Sequence, residues 1–532
     1  MKTIYINGNF YTFEEAKPRV EAVVIEDGRF IDMGTTEQML HSWARVDYDI
    51  INLHGQTVTP GLIDSHNHMS AVAGNFIDLD VTGLTSKQAM LQAIKQQAST
   101  LEAGEWLIGR GWDDNLFTDG GIPTIDELNH VAPDCPLFIP RICSHAFLVN
   151  QMALDMCNIN EHTVVPEGGR IVVDEQTHKP TGLLLESASE LVTRHIPEKS
   201  FQTLKNAMRR TIQFAMEKGL TSVHTNDPVF LGGLKQTYDI YDALLNEEQL
   251  GLRCNLLIDY TYLNDLRKQG MFAGYGNDTL QIGAVKIFAD GALGRRTALL
   301  SKPYADDSGT FGEAMFDQDT LYEIVKEARS MSMPVAVHTI GDQALENVLD
   351  ILDQFPTVSH RDRLIHVQVA RESLMTRLSQ GNRVADIQPR FVVGDFPWVE
   401  ERLGHERVKQ SYAWKSLMNA GVLCAGGSDA PVEPLDPLLG IHAAVTRKIP
   451  GEKHDGYYPE QKLTMEEAFL LFTKMGAYAT NEETIKGTIS RGKYADMTVF
   501  SRNPFTMKDP DELLETKIEK TIIGGRITYE RS

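Results

Sequence analysis

Two histidines two positions apart close the segment Thr59-Pro60-Gly61-Leu62-Ile63-Asp64-Ser65-His66-Asn67-His68. Its apolar half reads as a strand, and residues i and i+2 of a strand share a face, so both imidazoles can reach one cation. The arrangement recurs downstream. Pro334-Val335-Ala336-Val337-His338 and Arg363-Leu364-Ile365-His366 each end an apolar run on a histidine, and the run 422–426 leads through Gly427-Ser428 to Asp429. Singly, each has an ordinary reading: a histidine satisfied in a core, or an aspartate that caps a helix. Together they place metal-ligand types at four strand ends, which is where a parallel barrel carries its active site.

A further run, Ile282-Gly283-Ala284-Val285-Lys286-Ile287-Phe288, contains one charge. Lysine is almost never fully buried unpaired, so one reading is a snorkelling side chain or an ion pair with Asp290. The other starts from burial, which lowers the amine's pKa and leaves it neutral enough to react with carbon dioxide. The product is an anionic carbamate, whose two oxygens can bridge two divalent cations as a carboxylate does.

Such residues need elements that bring distant strand ends together. Eight short apolar runs suit the buried parallel strands of a barrel: 61–66, 222–225, 254–258, 283–288, 335–338, 364–367, 385–388 and 422–426. Helical periodicity over 205–218, 321–331 and 342–352 falls between them. About 150 residues separate the first two runs, far more than one connecting helix needs, so an inserted domain is expected over 75–200. It is expected to hold a helix at 87–100 and strands at 106–109 and 137–141. At the start of the chain, β-rich runs at 3–6, 22–25 and 50–53 with turns at Asn7-Gly8 and Asp27-Gly28 predict a small antiparallel sheet. Runs at 495–500 and 520–523, the latter followed by Gly524-Gly525, suggest that both ends of the chain build one composite domain.

Composition narrows the function classes. In 532 residues, 51 basic against 73 acidic side chains leave a formal charge of −22, which repels nucleic-acid phosphates and anionic lipid headgroups. No apolar run approaches the roughly 18 residues of a membrane helix, and the first residues lack a signal-peptide core, so a cytoplasmic protein is expected. The five cysteines (Cys135, Cys143, Cys157, Cys254, Cys424) form no Cys-x-x-Cys pair and read as buried free thiols. No Gly-x-Gly-x-x-Gly or Walker-type loop argues for a nucleotide.

The segments VTPGLIDSHNHM, GRGWDDN, GGRIVVDEQTHKPTGLLLESA, GAVKIFADGALGRRTALL, VHTIGDQAL, GSDAPV and GTISRGKYADMTVFSRNPF span essentially the whole chain. In them the chain resembles the amidohydrolase superfamily, in the amidohydrolase 3 branch that includes N-substituted formamide deformylase. The resemblance implies an α/β fold: a (β/α)8 TIM barrel (59–74 and 201–484) with a composite β-sandwich from both termini (1–58 and 485–532) and an inserted α+β lid or substrate domain (75–200). It implies that His66, His68 and Asp429 bind the more buried metal, and that a carbamylated Lys286 bridges to a second metal held by His338 and His366. Two zinc ions are the first expectation, and manganese, iron or cobalt suit the same ligands.

Coordination lowers the pKa of bound water to about 7, so such a centre yields a hydroxide that attacks a carbonyl carbon. Asp429 is then placed as general base and afterwards general acid. The expected reaction is hydrolysis of a non-peptide carbon–nitrogen bond, such as an N-formyl or N-acyl amide, in a small-molecule substrate; a homodimer is open as the assembly. Branch members often place Glu before the sixth-strand histidine, where this chain has Ile365, which leaves open what orients His366.

On the substrate side, Trp112, Asp113 and Asp114, with Ser144 and His145, lie in the insertion and are candidates for a pocket with an aromatic wall. Packing by Trp112 and capping by Asp113 are the alternatives. Asp290, Arg295 and Arg296 follow the fourth run, as substrate contacts or as loop structure. Two rival functions remain. One is a single-metal deaminase of a heterocyclic amine using His66, His68, His338 and Asp429 without a carbamate. The other is a catalytically silent amidohydrolase-like scaffold serving in regulation or assembly.

Overall fold

The computed structural model describes residues 2–44, 47–142 and 145–532; Cys143 and Ser144 lie outside the described residues. The chain divides into two compact units, Val72–Ala207 and the remainder, Met1–Ala71 with Met208–Ser532.

Eight parallel strands organise the larger unit. They are β1 (Leu62–Asn67), β2 (Leu220–Thr225), β3 (Arg253–Asp259), β4 (Leu280–Phe288), β5 (Val335–Thr339), β6 (Asp362–His366), β7 (Arg383–Ile387) and β8 (Cys424–Gly426). Strand order in the sheet follows chain order from β1 to β8. Each expected apolar run falls on one of them. Every residue of β2 and β3 is buried, as a strand covered on both faces requires. Helices Gln318–Ser330 and Asp342–Leu352 return the chain between strands, burying Leu321, Val325 and Ala328 on the first and Leu345, Val348, Leu349 and Leu352 on the second. These are the three- and four-residue spacings that put apolar side chains on one helix face. The fold is an α/β barrel of the TIM type.

The β-rich ends of the chain differ from the expected small antiparallel sheet. Lys2–Ile6 pairs antiparallel with Ala22–Glu26 but parallel with Asp49–Asn52. The parallel pairing is possible because helix Thr36–Trp43 lies in the connection, giving the chain the length to cross over. Thr57–Pro60 joins a second sheet, between Asn9–Tyr11 and Met497–Phe500, with Ile518–Ile523 and Arg526–Glu530 beyond. Tyr5, Val23 and Phe30 from the first sheet share one core with Phe10, Val58, Met497, Val499 and Ile522 from the second. Thr57–Pro60 runs into β1 across a single residue, Gly61, so this layered sheet domain is continuous with the strand that carries His66. Arg253 at the start of β3 and Asp496 fasten the two together as a buried ion pair at 2.7 Å, and Leu62 N donates to Thr498 Oγ1 at 3.2 Å.

The unit Val72–Ala207 holds a six-stranded sheet in the order Arg170–Val173, Pro180–Leu185, Ala146–Val149, Leu137–Pro140, Leu107–Arg110, Leu79–Asp80. Helix Lys87–Ala98 packs on one side of it, burying Met90, Leu91 and Ile94 beside Leu107 and Leu137. Trp112 belongs to that same core. It is 1% exposed, and its indole nitrogen donates to Ile139 O at 3.0 Å. It therefore serves packing and offers no free aromatic wall, because both its ring and its one donor are already engaged. Asp113 caps the short helix Asp114–Leu116 and pairs with Arg141 at 2.5 Å.

Among the described residues no helix is long and apolar enough to cross a membrane, and Cys135, Cys157, Cys254 and Cys424 are buried free thiols. Because Trp112 fills a core position, Trp112→Ala should lower stability by about 3–5 kcal/mol, read as a loss of denaturant midpoint. His145→Ala removes an exposed ring and should leave that midpoint nearly unchanged.

Candidate metal centre

The strands β8 and β1 stand at the two ends of the sheet order, and their C-terminal ends are joined by one carboxylate. Asp64 Oδ1 accepts from His66 N and from Ser428 N, both at 3.1 Å, and Asp64 Oδ2 accepts from Ser428 Oγ at 2.5 Å. Backbone bonds continue the seam: Asp429 N donates to His66 O at 2.7 Å and His68 N to Ala430 O at 2.9 Å. Gly427 makes this approach possible, since a Cβ there would lie 2.6 Å from His66 N. Burial lifts the Asp64 carboxyl to about 7, and the bonds from Ser428 and His66 act against that rise.

The seam delivers three ligands to one point. Asp429 Oδ1 lies 3.3 Å from His66 Nε2 and 3.2 Å from His68 Nε2, and the ligand atoms of the three residues all fall within 4.8 Å of one another. Lys286, fully buried on β4, places Nζ 3.2 Å from His66 Nε2. His366 joins from the far side, its ring 5.8 Å from that of His66 and 4.5 Å from that of His338. His366 and Asp429 both have positive φ, 77° and 56°. Non-glycine residues adopt this backbone at a cost, and such strain collects at functional sites. At the end of β6 it turns the imidazole out of the strand's alternation.

Hydrogen bonds around the histidines set which nitrogen is free. His68 Nδ1 faces Asn226 O at 3.0 Å, and a carbonyl can only accept, so Nδ1 carries the hydrogen and Nε2 the lone pair. His338 Nε2 donates to Gly291 O at 3.0 Å, leaving Nδ1 free. His366 Nδ1 meets Gln388 Oε1 at 2.7 Å, while Gln388 Nε2 donates to Asp386 O at 3.2 Å, which fixes the amide and makes His366 Nδ1 the donor. Gln388 thus supplies the orientation that Ile365 cannot, for Ile365 is buried with Leu257, Ala284 and Ala336.

Burial governs the charges. It holds His66 and His338 well below the ordinary imidazole value and brings His366 to about 4, so all three are neutral. Burial also pushes the Lys286 amine down to about 7, with Asp429 and Asp386 pulling the other way. Burial alone would raise Asp429, but His68, His366 and Lys286 around it hold its carboxyl below the usual range. His68 is the exception among the histidines: Asp429 beside it outweighs burial and raises it. A proton and a divalent cation would compete for the place between them. Asp429 Oδ1, buried, has no hydrogen-bond partner. Lone pairs converging on a buried carboxylate oxygen without a donor fit a cation.

The remaining sequence candidates are placed elsewhere. Asp290 does not pair with Lys286. Its oxygens accept from Leu299 N, Ile340 N and Gly341 N at 2.9, 3.0 and 2.8 Å, tying the loops after β4 and β5 together beside His338. Those three amides hold the loop, and His338 Nε2 lies 3.5 Å from Asp290 Oδ1. Arg295 is exposed on that loop, and Arg296 pairs with Asp306 at 2.7 Å. Trp112 and Asp113 have their partners inside the unit Val72–Ala207, and His145, exposed, meets Glu186 at 2.9 Å. Asp64, Asn226, Gln388 and Ser428 are the contributors that motif reading passes over. Asp64 and Gln388 do carry a signal, a polar residue within or closing an apolar run.

A parallel barrel with histidines, a buried lysine and an aspartate gathered at its strand ends defines a metal-dependent hydrolase of the barrel type. Residues 49–529 match the amidohydrolase family, and the chain belongs to it. It is 40% identical over 534 residues to the Bacillus subtilis protein described as amidohydrolase YtcJ, covering 100% of both chains. It is 26% identical over 544 residues to the N-substituted formamide deformylase of Arthrobacter pascens, covering 99% of this chain and 98% of that one. Among solved structures, a metal-dependent hydrolase from Pyrococcus furiosus superposes with a TM-score of 0.78 at 28% identity, covering 95% of this chain and 100% of that one.

Groups that orient metal-binding histidines are typically worth about 10–100-fold in metal affinity. Gln388→Leu should therefore weaken divalent-metal binding by roughly that factor while far-UV circular dichroism stays unchanged. Competition against a chelator measures it, and unaltered affinity would separate Gln388 from the centre.

Proposed function

We propose that this chain hydrolyses a non-peptide carbon–nitrogen bond of a small amide, of the N-formyl or N-acyl kind, using two divalent cations, with zinc the first candidate. The observation that carries this reading is the convergence of His66, His68 and Asp429 on one point, with Lys286 against His66 and with His338 and His366 beside it. A relative that aligns along nearly the full chain is named for deformylation of N-substituted formamides, which supports an amide substrate.

His66, His68 and Asp429 would hold one cation, and His338 and His366 the other. When bound, such cations supply Lewis acidity toward the carbonyl oxygen and lower the pKa of a coordinated water. The chain's own contribution is proton handling and position. Asp429, kept ionised among His68, His366 and Lys286, accepts the proton of the attacking water and returns it to the departing nitrogen. Lys286, neutral above about pH 7, is free to react with carbon dioxide: the nitrogen–carbon bond would form with loss of one proton, and the carbamate would supply anionic oxygens as further cation ligands. The net reaction adds water across the carbonyl carbon–nitrogen bond, releasing an acid and an amine.

Removing only the proton acceptor is informative. Asp429→Asn should cut kcat by about 10²–10⁴-fold while the protein keeps most of its metal. Near-normal turnover would take Asp429 out of the reaction. Lys286→Ala should bind one equivalent of metal where the parent binds two, by elemental analysis after loading with bicarbonate and excess zinc. If the parent itself takes up only one equivalent, the single-metal deaminase reading replaces this one. Turnover of an N-formyl or N-acyl amine in ¹⁸O-water should place label in the released acid. A deaminase would instead release ammonia and keep the label on the ring.

A further inference from the structure

We propose that the barrel interior beneath the metal centre is a water-filled passage, open at the floor of the barrel, through which water reaches the site from the side opposite the strand C-termini. The supply role rests on the hydrolytic reading above; the passage itself does not.

Barrels of this type ordinarily fill their interior layers with branched apolar side chains. Here Leu257, Ala284, Ala336 and Ile365, two of them alanine, form one small apolar cluster on β3 to β6. Polar side chains are buried on the barrel strands as well: Ser65 on β1, His224 on β2, Asn255 on β3, Arg363 on β6 and Asp386 on β7. Arg363 Nε donates to Asp386 Oδ2 at 2.6 Å, and the guanidinium also donates to Ser65 O across the barrel. Ser65 Oγ, both nitrogens of His224, Asn255 Oδ1, Arg363 Nη1 and Asp386 Oδ1 make no protein hydrogen bond of good geometry, although Ser65 stands next to Asp386 and His224. Buried polar atoms are nearly always paired, and where protein does not pair them ordered water does. Five strands contribute such atoms, which fits a barrel interior that takes up water.

The layer connects in both directions. Above it, Ser65 precedes the ligand His66, and the charge of Asp386 acts on the Lys286 amine. Below it, Asn255 and Arg363 also line a crevice at the N-terminal ends of the strands, with Gly283, Pro334, His360 and Arg361. The crevice has about 10 Å³ of room, close to what the centre of one water occupies. Gly283 keeps it open, since a Cβ there would sit 1.9 Å from Asn255 Oδ1. Lys486, buried and outside the crevice lining, donates to Ser222 Oγ at 3.0 Å and pairs with Glu482 at 2.7 Å. Each hydrolytic turnover consumes one water, and a floor passage delivers it without crossing the substrate.

A high-resolution crystal structure of the metal-loaded protein should show ordered waters on His224, Ser65 Oγ and Asn255 Oδ1, linked to the crevice. A dry layer, with these atoms bonded to one another, overturns the proposal. Asn255→Leu, similar in volume but apolar, should slow the exchange of the buried waters with bulk on the order of tenfold, measured by oxygen-17 relaxation dispersion without substrate. Asn255→Ser, which keeps a polar group and opens the crevice, should exchange at least as fast as the parent. Equal exchange in Asn255→Leu and the parent overturns the passage whatever the reaction is. Turnover in Asn255→Leu should fall several-fold with KM unchanged; slowed exchange with unchanged turnover overturns the supply role.

Discussion

The seam between the last and first barrel strands depends on one buried carboxylate. Asp64 receives two amides and a hydroxyl from residues on both sides of that seam, and those residues precede or are themselves the candidate ligands His66 and Asp429. A carboxylate sunk in an apolar surrounding is unstable unless its lone pairs are met, so the arrangement holds only when Ser428 and His66 take these positions. The barrel's closure and the gathering of His66, His68 and Asp429 are therefore one event. The candidate metal site and the closure of the barrel depend on the same few atoms.

Around that seam the dominant physical effect is desolvation. It keeps three histidines neutral and their lone pairs available, and it draws the lysine toward a neutral amine. Carbonyl and amide partners from neighbouring loops then choose the nitrogen each ring presents. Asn226, Gly291 and Gln388 touch no reacting atom, yet each decides where a lone pair points.

Much of this is legible in the sequence, for reasons that can be named. The barrel strands are short apolar runs buried on both faces, and the ligands stand out because each interrupts or ends such a run with a chemically distinct residue. What stays hidden is information that periodicity does not carry. The positive φ at His366 and Asp429 is set by tertiary contacts. Most strands of the unit Val72–Ala207 escape notice because Arg170–Val173 and its neighbours are only half-buried and carry weak alternation. Trp112 sits in a motif that reads as functional and is used as core. The parallel pairing of Lys2–Ile6 with Asp49–Asn52 depends on a crossover helix that a turn-based reading replaces with hairpins. Gln388 is invisible as an orienting group until β6 and β7 lie side by side.

The strand Thr57–Pro60, which leads into β1 across one residue, takes its neighbour from Met497–Phe500 near the opposite end of the chain. A ribosome builds the first long before the second, and domains fold largely as their parts emerge. Through most of synthesis the strand that carries His66 therefore has an unpaired edge at its root, and Ser428 and Asp429 are also among the late arrivals. An exposed edge of this kind invites pairing with another chain. The gathering of residues at the strand ends is consequently a late event, because His66 and Asp429 meet only once the eighth strand has been made.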